Sequence, residues 1–147
     1  MFDLITLHQK LIHFPIAFLF LYPFAELFAL IRKSEFTNKL SFIFLLIGLI
    51  SLFLAILSGN NTLNSFKDIS EKDLAIINKH IDYANYLAWL SGFLFLMRIY
   101  YYQKIKINNI IRVIIILLSI VILFFVIKTA EYGGLVNELL FNYKKDF

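Results

Sequence analysis

The chain has 147 residues, of which 61% are hydrophobic and only 16% are charged. A soluble domain is about 45–50% apolar, so this composition indicates an integral membrane protein with little mass outside the bilayer. The net charge is +4, but the basic residues lie in loops beside hydrophobic segments, which indicates membrane topology and argues against nucleic-acid binding. The absence of cysteine excludes disulfides, thiolate metal sites and covalently attached c-type haem.

Four hydrophobic segments have the length of roughly 20 residues that an α-helix needs to cross a bilayer. We predict spans over about 8–31, 40–58, 78–98 and 109–129, followed by a short C-terminal tail over 135–147. The first segment lacks the basic start and the cleavage site of a signal peptide, so we expect it to be retained. The predicted fold is therefore all-α, a single integral membrane domain over the whole chain, built as a four-helix up-down bundle.

Local signals mark the elements in chain order. Pro15 removes a backbone hydrogen bond near the start of the first segment and favours a bend there. Small residues recur at helical spacing in the second segment, a pattern typical of close helix packing or of contact with a flat cofactor: Gly48, Ser51, Ala55 and Gly59. Ser70 and Asp73 form a variant of the capping box, which predicts that the third helix begins near Glu71.

The loop charges predict the orientation in the membrane. The loops after the first and third segments contain a single acidic residue, Glu35, against seven basic ones: Arg32, Lys33, Lys39, Arg98, Lys104, Lys106 and Arg112. By the positive-inside rule these loops are cytoplasmic. We therefore expect a multi-pass protein of the inner (cytoplasmic) membrane with both termini on the extracytoplasmic side, where all three histidines would also lie.

The histidines are the leading functional candidates, because ionisable residues at membrane depth usually mark functional sites. His8 and His13 are about 140° apart on a regular helix, so they do not share a face. His13 has Ala17 one turn later, and His80 has Ala84 one turn later, which leaves room beside each imidazole. Since bundle cores commonly hold cofactors, these four residues predict a haem b site with His13 and His80 as axial ligands.

Other interpretations remain open at this stage. One is a compact Zn, Cu or Fe site near the outer surface, with ligands from His8, His13, His80 and Glu131. Another is that these side chains only satisfy backbone carbonyls and lipid headgroups, in a cofactor-free structural subunit of a larger membrane complex. Glu26 lies toward the other end, where it either pairs with an arginine or relays protons; the candidate partners are Arg32, Arg98 and Arg112.

Three short patches resemble a family of small four-helix membrane proteins described as domain of unknown function 2231. The family typically begins His-Pro-x-x-x-His-Phe-Pro-Ile-Ala, and residues 8–17 keep this spacing with Gln9 in place of the first proline. The family also has a histidine at the head of its third span, which His80 matches. Its fourth span ends in a pattern like Thr-Ala-His-x-Gly-Gly, which residues 129–134 match except for Glu131.

The resemblance implies electron transfer. The family is similar to the transmembrane cytochromes b in helix count and histidine placement, and its members occur joined to Rieske or cytochrome-type domains. If the family holds two haems with four histidines, Glu131 leaves this chain one haem, or a bare metal in a His/Glu site. We therefore expect a haem b electron carrier or complex subunit more than a stand-alone enzyme. Its expected partners are the lipid bilayer and a redox protein or larger membrane complex, with no nucleic acid.

Overall fold

The structure, a computed structural model, describes residues 4–63, 69–102 and 109–145. Within these ranges the chain is helical apart from short junctions. The elements are α1 (Leu4–Leu11), α2 (His13–Arg32), α3 (Glu35–Leu63), α4 (Glu71–Tyr102) and α5 (Asn109–Lys145). Since α1 and α2 follow one another with a single residue between them, the architecture is the predicted all-α four-helix bundle.

The junction between α1 and α2 lies at Ile12, three residues before Pro15. Proline has no N–H, so the carbonyl of Leu11 cannot accept the helical bond that residue 15 would normally donate. The bonds on either side are made, from Ile12 N to His8 O at 3.1 Å and from Ile16 N to Ile12 O at 3.3 Å. The predicted interruption at Pro15 is therefore confirmed, and α1 continues into α2 as one interrupted helix.

Side-chain and backbone caps set the other helix ends. Lys33 ends α2 in the left-handed conformation, with φ of 49°, and its N–H bonds to Ala29 O. Ser34 then accepts from the N–H of Thr37, and α3 begins. Ser70 Oγ accepts from the N–H of Asp73 at 3.2 Å and donates to its carboxylate at 2.7 Å. The predicted start of α4 at Glu71 is thus confirmed, with Ser70 as its N-cap.

Three helical stretches are long and apolar enough to cross a membrane by length and composition: Leu7–Arg32, Glu35–Asn61 and Ile110–Phe141. Helix α4 has 32 residues, or about 48 Å at 1.5 Å per residue, which is ample length. Its first half carries Lys79, His80 and Asp82, however, and these polar residues lower its mean hydropathy, so α4 is not one of these three stretches. The predicted crossing over 78–98 stays a prediction.

The C-terminal region differs from the expectation of a separate tail after residue 134. Helix α5 continues through Gly133 and Gly134 to Lys145. Glycine weakens a helix because it adds backbone freedom to the unfolded chain, but neither glycine here takes the positive φ that would end one. Residues 135–145 of the predicted tail are therefore the last turns of α5, and residues 146 and 147 lie outside the described residues.

The bundle consists of two helix hairpins. The first hairpin is α1 to α3, in which α2 packs along α3; the second is α4 with α5. Helix α2 also contacts α5, and α3 contacts α4, so the four long helices surround one core. The fully buried side chains at its centre include Leu19, Tyr22, Leu45, Leu94, Ile115 and Ile122. Outward faces are strongly apolar, with Trp89 81% exposed, as expected of lipid-facing helices.

A buried ion pair joins the hairpins in the half of the bundle away from His8 and His80. Arg98 Nη1 lies 3.3 Å from Glu26 Oε1, and both side chains are at most 7% exposed. Arg98 Nη2 also donates to Asn38 O at 3.1 Å and to Ser41 Oγ at 2.9 Å. Of the arginines considered for Glu26, the structure selects Arg98, which ties α2, α3 and α4 together.

The surroundings of two glycines predict that substitution by alanine changes the free energy of unfolding in opposite directions. A Cβ on Gly48 would lie 2.5 Å from Leu19 Cδ2 and 2.7 Å from its Cγ, whereas a Cβ on Gly92 would meet no atom within 4 Å. We expect Gly48→Ala to lower the free energy of unfolding by about 1–3 kcal/mol through overpacking. Gly92→Ala should raise it by about 0.5–1 kcal/mol through helix propensity. Thermal unfolding in detergent, followed by circular dichroism, measures both, and equal shifts would contradict the packing at Gly48.

Candidate functional site

A cavity of about 510 Å³ lies at one end of the bundle, between α1, the last turns of α3, the first half of α4 and the later turns of α5. This volume falls within the roughly 300–1,000 Å³ typical of small-molecule and cofactor sites. Most of its wall is aliphatic, with polar groups from His8, His13, His80, Asn85, Thr129 and Asn137 among those reaching it. The cavity is therefore an apolar chamber with a few fixed polar groups, which is the general form of a cofactor pocket.

His8 enters this cavity from α1, with its ring held by α3. Its Nδ1 lies 2.9 Å from Ser58 Oγ. The Ser58 hydroxyl in turn donates to Ala55 O at 2.9 Å, so its oxygen is left to accept. This pattern assigns the proton of neutral His8 to Nδ1. Nε2, on the other side of the ring, then keeps its lone pair.

His80 enters from α4 and is held in the same way by α5. Its Nδ1 lies 3.0 Å from Thr129 O, and a carbonyl oxygen can only accept. Nδ1 of His80 therefore carries the proton, and Nε2 again keeps the lone pair. Binding one imidazole nitrogen to a backbone carbonyl or hydroxyl is the usual way in which proteins orient a metal-ligating histidine.

Glycine makes room for each imidazole. A Cβ on Gly59 would lie 3.0 Å from His8 Cε1, and a Cβ on Gly133 would lie 3.1 Å from His80 Cε1. A larger residue at either position would approach the ring more closely than van der Waals contact allows, so the ring would have to shift by a few tenths of an ångström. The backbone of one helix thus supports the imidazole of its neighbour in both hairpins, and each ring is held by a contact on its edge as well as by a hydrogen bond.

The remaining haem residues of the sequence prediction lie in different surroundings. His13 reaches the cavity from the first turn of α2, but its side chain is exposed. Ala17, one turn later, is also exposed. Ala84 is buried and lines the cavity one turn after His80, as the prediction required. The structure therefore gives two partly enclosed imidazoles with hydrogen-bonded Nδ1 atoms, those of His8 and His80.

The predicted four-residue metal site is not assembled. Glu131 is exposed on α5 and pairs with Lys128 at 2.8 Å, so its carboxylate is engaged along its own helix. Across the described residues, no group of three or more histidine or acidic side chains is placed to hold a metal ion. His8, His13, His80 and Glu131 therefore do not form a common coordination sphere.

The structure adds residues that sequence reasoning did not assign to the site. Ser58, Gly59, Thr129 and Gly133 hold the two imidazoles, but each acts through a contact with a residue about fifty positions away. Only the small-residue row containing Gly59 and the paired glycines at 133 and 134 signalled a close approach. Gln9, where the family pattern has proline, bonds through Nε2 to Asn137 Oδ1 at 2.5 Å and links α1 to α5 beside the cavity.

Comparison with known proteins gives a family and no more. A family model described as predicted membrane protein (DUF2231) matches residues 4–139. No curated protein matches the chain, and no solved structure matches it. The match covers all three histidines and the three glycines that line the cavity.

The hydrogen-bond pattern predicts the tautomer of both histidines. In protein labelled with ¹⁵N-histidine in detergent micelles, nitrogen NMR at neutral pH should show Nδ1 protonated for His8 and for His80. Ser58→Ala removes the acceptor of His8, so the other tautomer of His8 should gain population while His80 is unchanged. Ser51→Ala is the control, because the Ser51 hydroxyl bonds only to carbonyls of its own helix. An unchanged His8 spectrum in Ser58→Ala would contradict the assignment.

Proposed function

We propose that this chain, which belongs to the DUF2231 family of predicted membrane proteins, binds one b-type haem through His8 and His80 and carries electrons. One observation carries the proposal: imidazoles from two separate hairpins reach one apolar cavity, each with Nδ1 hydrogen-bonded and with no hydrogen bond to Nε2 among the described residues. Two histidines on different helices of a bundle are a common arrangement for holding a haem from both faces.

The residues present fit such a group. The donors are neutral imidazoles with no cysteine in the chain, which suits haem iron held without covalent attachment. Gly59 and Gly133 leave each ring the space that it needs beside its neighbouring helix. Thr129 Oγ1 is buried on the cavity wall and has no hydrogen-bond partner among the described residues. A bound group with a polar edge would satisfy it.

Each residue has a definable task. His8 and His80 would supply the axial nitrogens, while Ser58 and the carbonyl of Thr129 fix the rings and raise their basicity. The aliphatic wall, which includes Leu52, Leu87 and Val126, would exclude water and lower the local polarity. When bound, the iron supplies one-electron chemistry, and its ligands and surroundings set the potential.

The proposal revises the ligand pair expected from the sequence. His13 was preferred there because it lies deeper along a regular helix and has Ala17 beside it. In the structure the helix is interrupted at Ile12, and His13 and Ala17 are exposed on α2. We therefore place His8 opposite His80, with His13 at the edge of the site.

The cellular setting follows from the charges. We propose an inner-membrane protein with the histidine end extracytoplasmic, because the loops at the opposite end carry the basic excess. The cavity lies near one end of the bundle, so a redox protein docking at that end would approach the haem closely. The proposed role is a carrier or subunit that exchanges electrons with such a partner.

Absorption spectra of the detergent-purified protein test the proposal. Protein produced with ample haem should show a Soret band, and sharp α and β bands after reduction with dithionite. His8→Ala and His80→Ala should each lose this six-coordinate signature, since each removes one axial nitrogen. His13→Ala is the matched control and should keep it.

Two results would overturn this assignment. A featureless spectrum of the native protein would remove the haem proposal altogether. A spectrum lost in His13→Ala and kept in His8→Ala would restore the pair expected from the sequence, and the role of His8 would be wrong.

The glycine beside His80 gives a second prediction. Gly133→Ala places a methyl group 3.1 Å from His80 Cε1, whereas a Cβ at Gly134 meets no atom within 4 Å. We expect Gly133→Ala to weaken haem binding roughly tenfold, the scale of other changes that turn a metal-ligating histidine. Gly134→Ala should bind as the native protein does. Haem titration of the apoprotein measures both, and equal affinities would contradict the contact at Gly133.

A further inference from the structure

When 72 is added to the residue numbers of α2, several of its buried positions fall on buried positions of α4. The same shift relates His8 to His80. This shift places four buried residues of α2 on four buried residues of α4. The pairs are Pro15 with Leu87, Leu19 with Ser91, Tyr22 with Leu94, and Glu26 with Arg98. Four of the six buried positions of α2 therefore have a buried counterpart in α4, although the side chains there differ, and the other two, Pro23 and Ala29, have half-buried counterparts.

The buried faces of α3 and α5 coincide in the same way at a shift of 74 positions, the separation of Gly59 and Gly133. All four residues of α5 in the buried class fall on buried residues of α3. The pairs are Ser41 with Ile115, Leu45 with Ser119, Gly48 with Ile122, and Leu52 with Val126. Both helices of the first hairpin thus have a counterpart in the second.

The contacts within each hairpin agree independently of the burial pattern. His8 touches Gly59 in the first hairpin, and His80 touches Gly133 in the second. His8 Nδ1 bonds to Ser58 Oγ, which donates to Ala55 O, and His80 Nδ1 bonds to Thr129 O. Ala55 and Thr129 are themselves 74 positions apart, so both imidazoles are tethered at the same point of the partner helix, one of them through a hydroxyl.

The packing between hairpins is also unchanged by exchanging them. If the two hairpins changed places, α2 would take the place of α4 and α5 the place of α3. The contact between α2 and α5 would then become the contact between α4 and α3, and the structure has both contacts. In an up-down bundle α2 and α4 run in the same direction, as do α3 and α5. Two such units are related by rotation about the bundle axis, the arrangement of parallel repeats.

We infer that the chain is an internal repeat of one helix hairpin, and that a polar cluster on the repeat axis makes the two hairpins recognise each other. The cluster contains Glu26 and Arg98, which the first shift relates, and Asn38 and Arg112, which the second relates. All four line one small cavity of about 10 Å³ between the hairpins. We call these four residues the axial cluster.

The axial cluster specifies the partner by opposite charge. On a two-fold axis, a hairpin meeting an identical hairpin would place glutamate against glutamate, or arginine against arginine. Unlike charges at equivalent positions favour the first hairpin against the second and disfavour each against itself. A buried charge left without its partner is strongly destabilising, so the pair penalises wrong pairing more than it rewards the right one. The partner that fits this surface is the other hairpin of the chain.

Exchanging the residues across the axis tests the inference. Glu26→Arg alone leaves two guanidinium groups facing each other and should lower the melting temperature in detergent by about 10 °C. Adding Arg98→Glu restores opposite charges but places the new arginine beside Arg112. The exchange is completed by adding Asn38→Arg and Arg112→Asn. Each residue of the axial cluster then lies at the equivalent position of the other hairpin.

We expect the fourfold variant to recover more than half of the lost melting temperature and to exceed the twofold variant. Full recovery is not expected, because Ser41, which binds Arg98, corresponds to Ile115. Glu35→Arg, at the exposed pair with Lys39, is the control and should change little. A fourfold variant no more stable than the twofold one would overturn the equivalence.

A distance measurement tests the two-fold relation between the hairpins in protein whose buried residues are all native. The chain has no cysteine, so spin labels can be attached to pairs of introduced cysteines at exposed positions. The repeat relates Leu21 to Phe93 and Ile50 to Phe124, all exposed. Pulsed electron resonance should therefore give the same distance for Leu21→Cys with Phe124→Cys as for Phe93→Cys with Ile50→Cys. Clearly different distances would refute the axis. Both tests use apoprotein, so their outcome is separate from that of the haem proposal.

Discussion

The bundle depends on one constraint: a polar side chain in an apolar solvent must find its partner within the protein. Four of the eight serines solve this within their own helix by donating to a carbonyl one turn earlier, namely Ser41, Ser51, Ser58 and Ser119. Among the described residues, polar groups bond between helices at the two imidazoles, at Arg98 and at the Gln9–Asn137 contact. These places fix how the helices sit against one another, because hydrophobic contacts in lipid are weakly directional.

Much of the fold was predictable from local chemistry. The hydrophobic segments predicted an all-α bundle, Ser70 and Asp73 predicted the start of α4, and Pro15 predicted an interruption. These features depend on residues close in sequence, so no knowledge of packing was needed. The C-terminal region was predicted as a separate tail, yet α5 continues through Gly133 and Gly134.

Only part of the candidate site could be inferred from the sequence. The face shared by His80 and Ala84 follows from the regular geometry of α4, and both residues line the cavity. The preference for His13 assumed a regular helix through Pro15, and the interruption at Ile12 changes which histidine is enclosed. The partners of His8 lie fifty positions away on α3, and nothing in the spacing of the first segment indicates them. Glu131 was drawn into the site by its place in the family pattern, but it pairs with Lys128.

The ion pair of Glu26 with Arg98 bears on how such a chain could arise. An ancestral hairpin that dimerised with an identical copy would have carried the same residue on both sides of the axis, so a charged residue there would have faced a like charge. When both hairpins lie in one chain, their residues at the axis can differ, so opposite charges become possible there. The histidines, by contrast, are alike in the two hairpins, as a ligand shared between them would require. Once Glu26 and Arg98 had diverged, separating the hairpins again would strand a buried charge in each, and fusion became difficult to reverse.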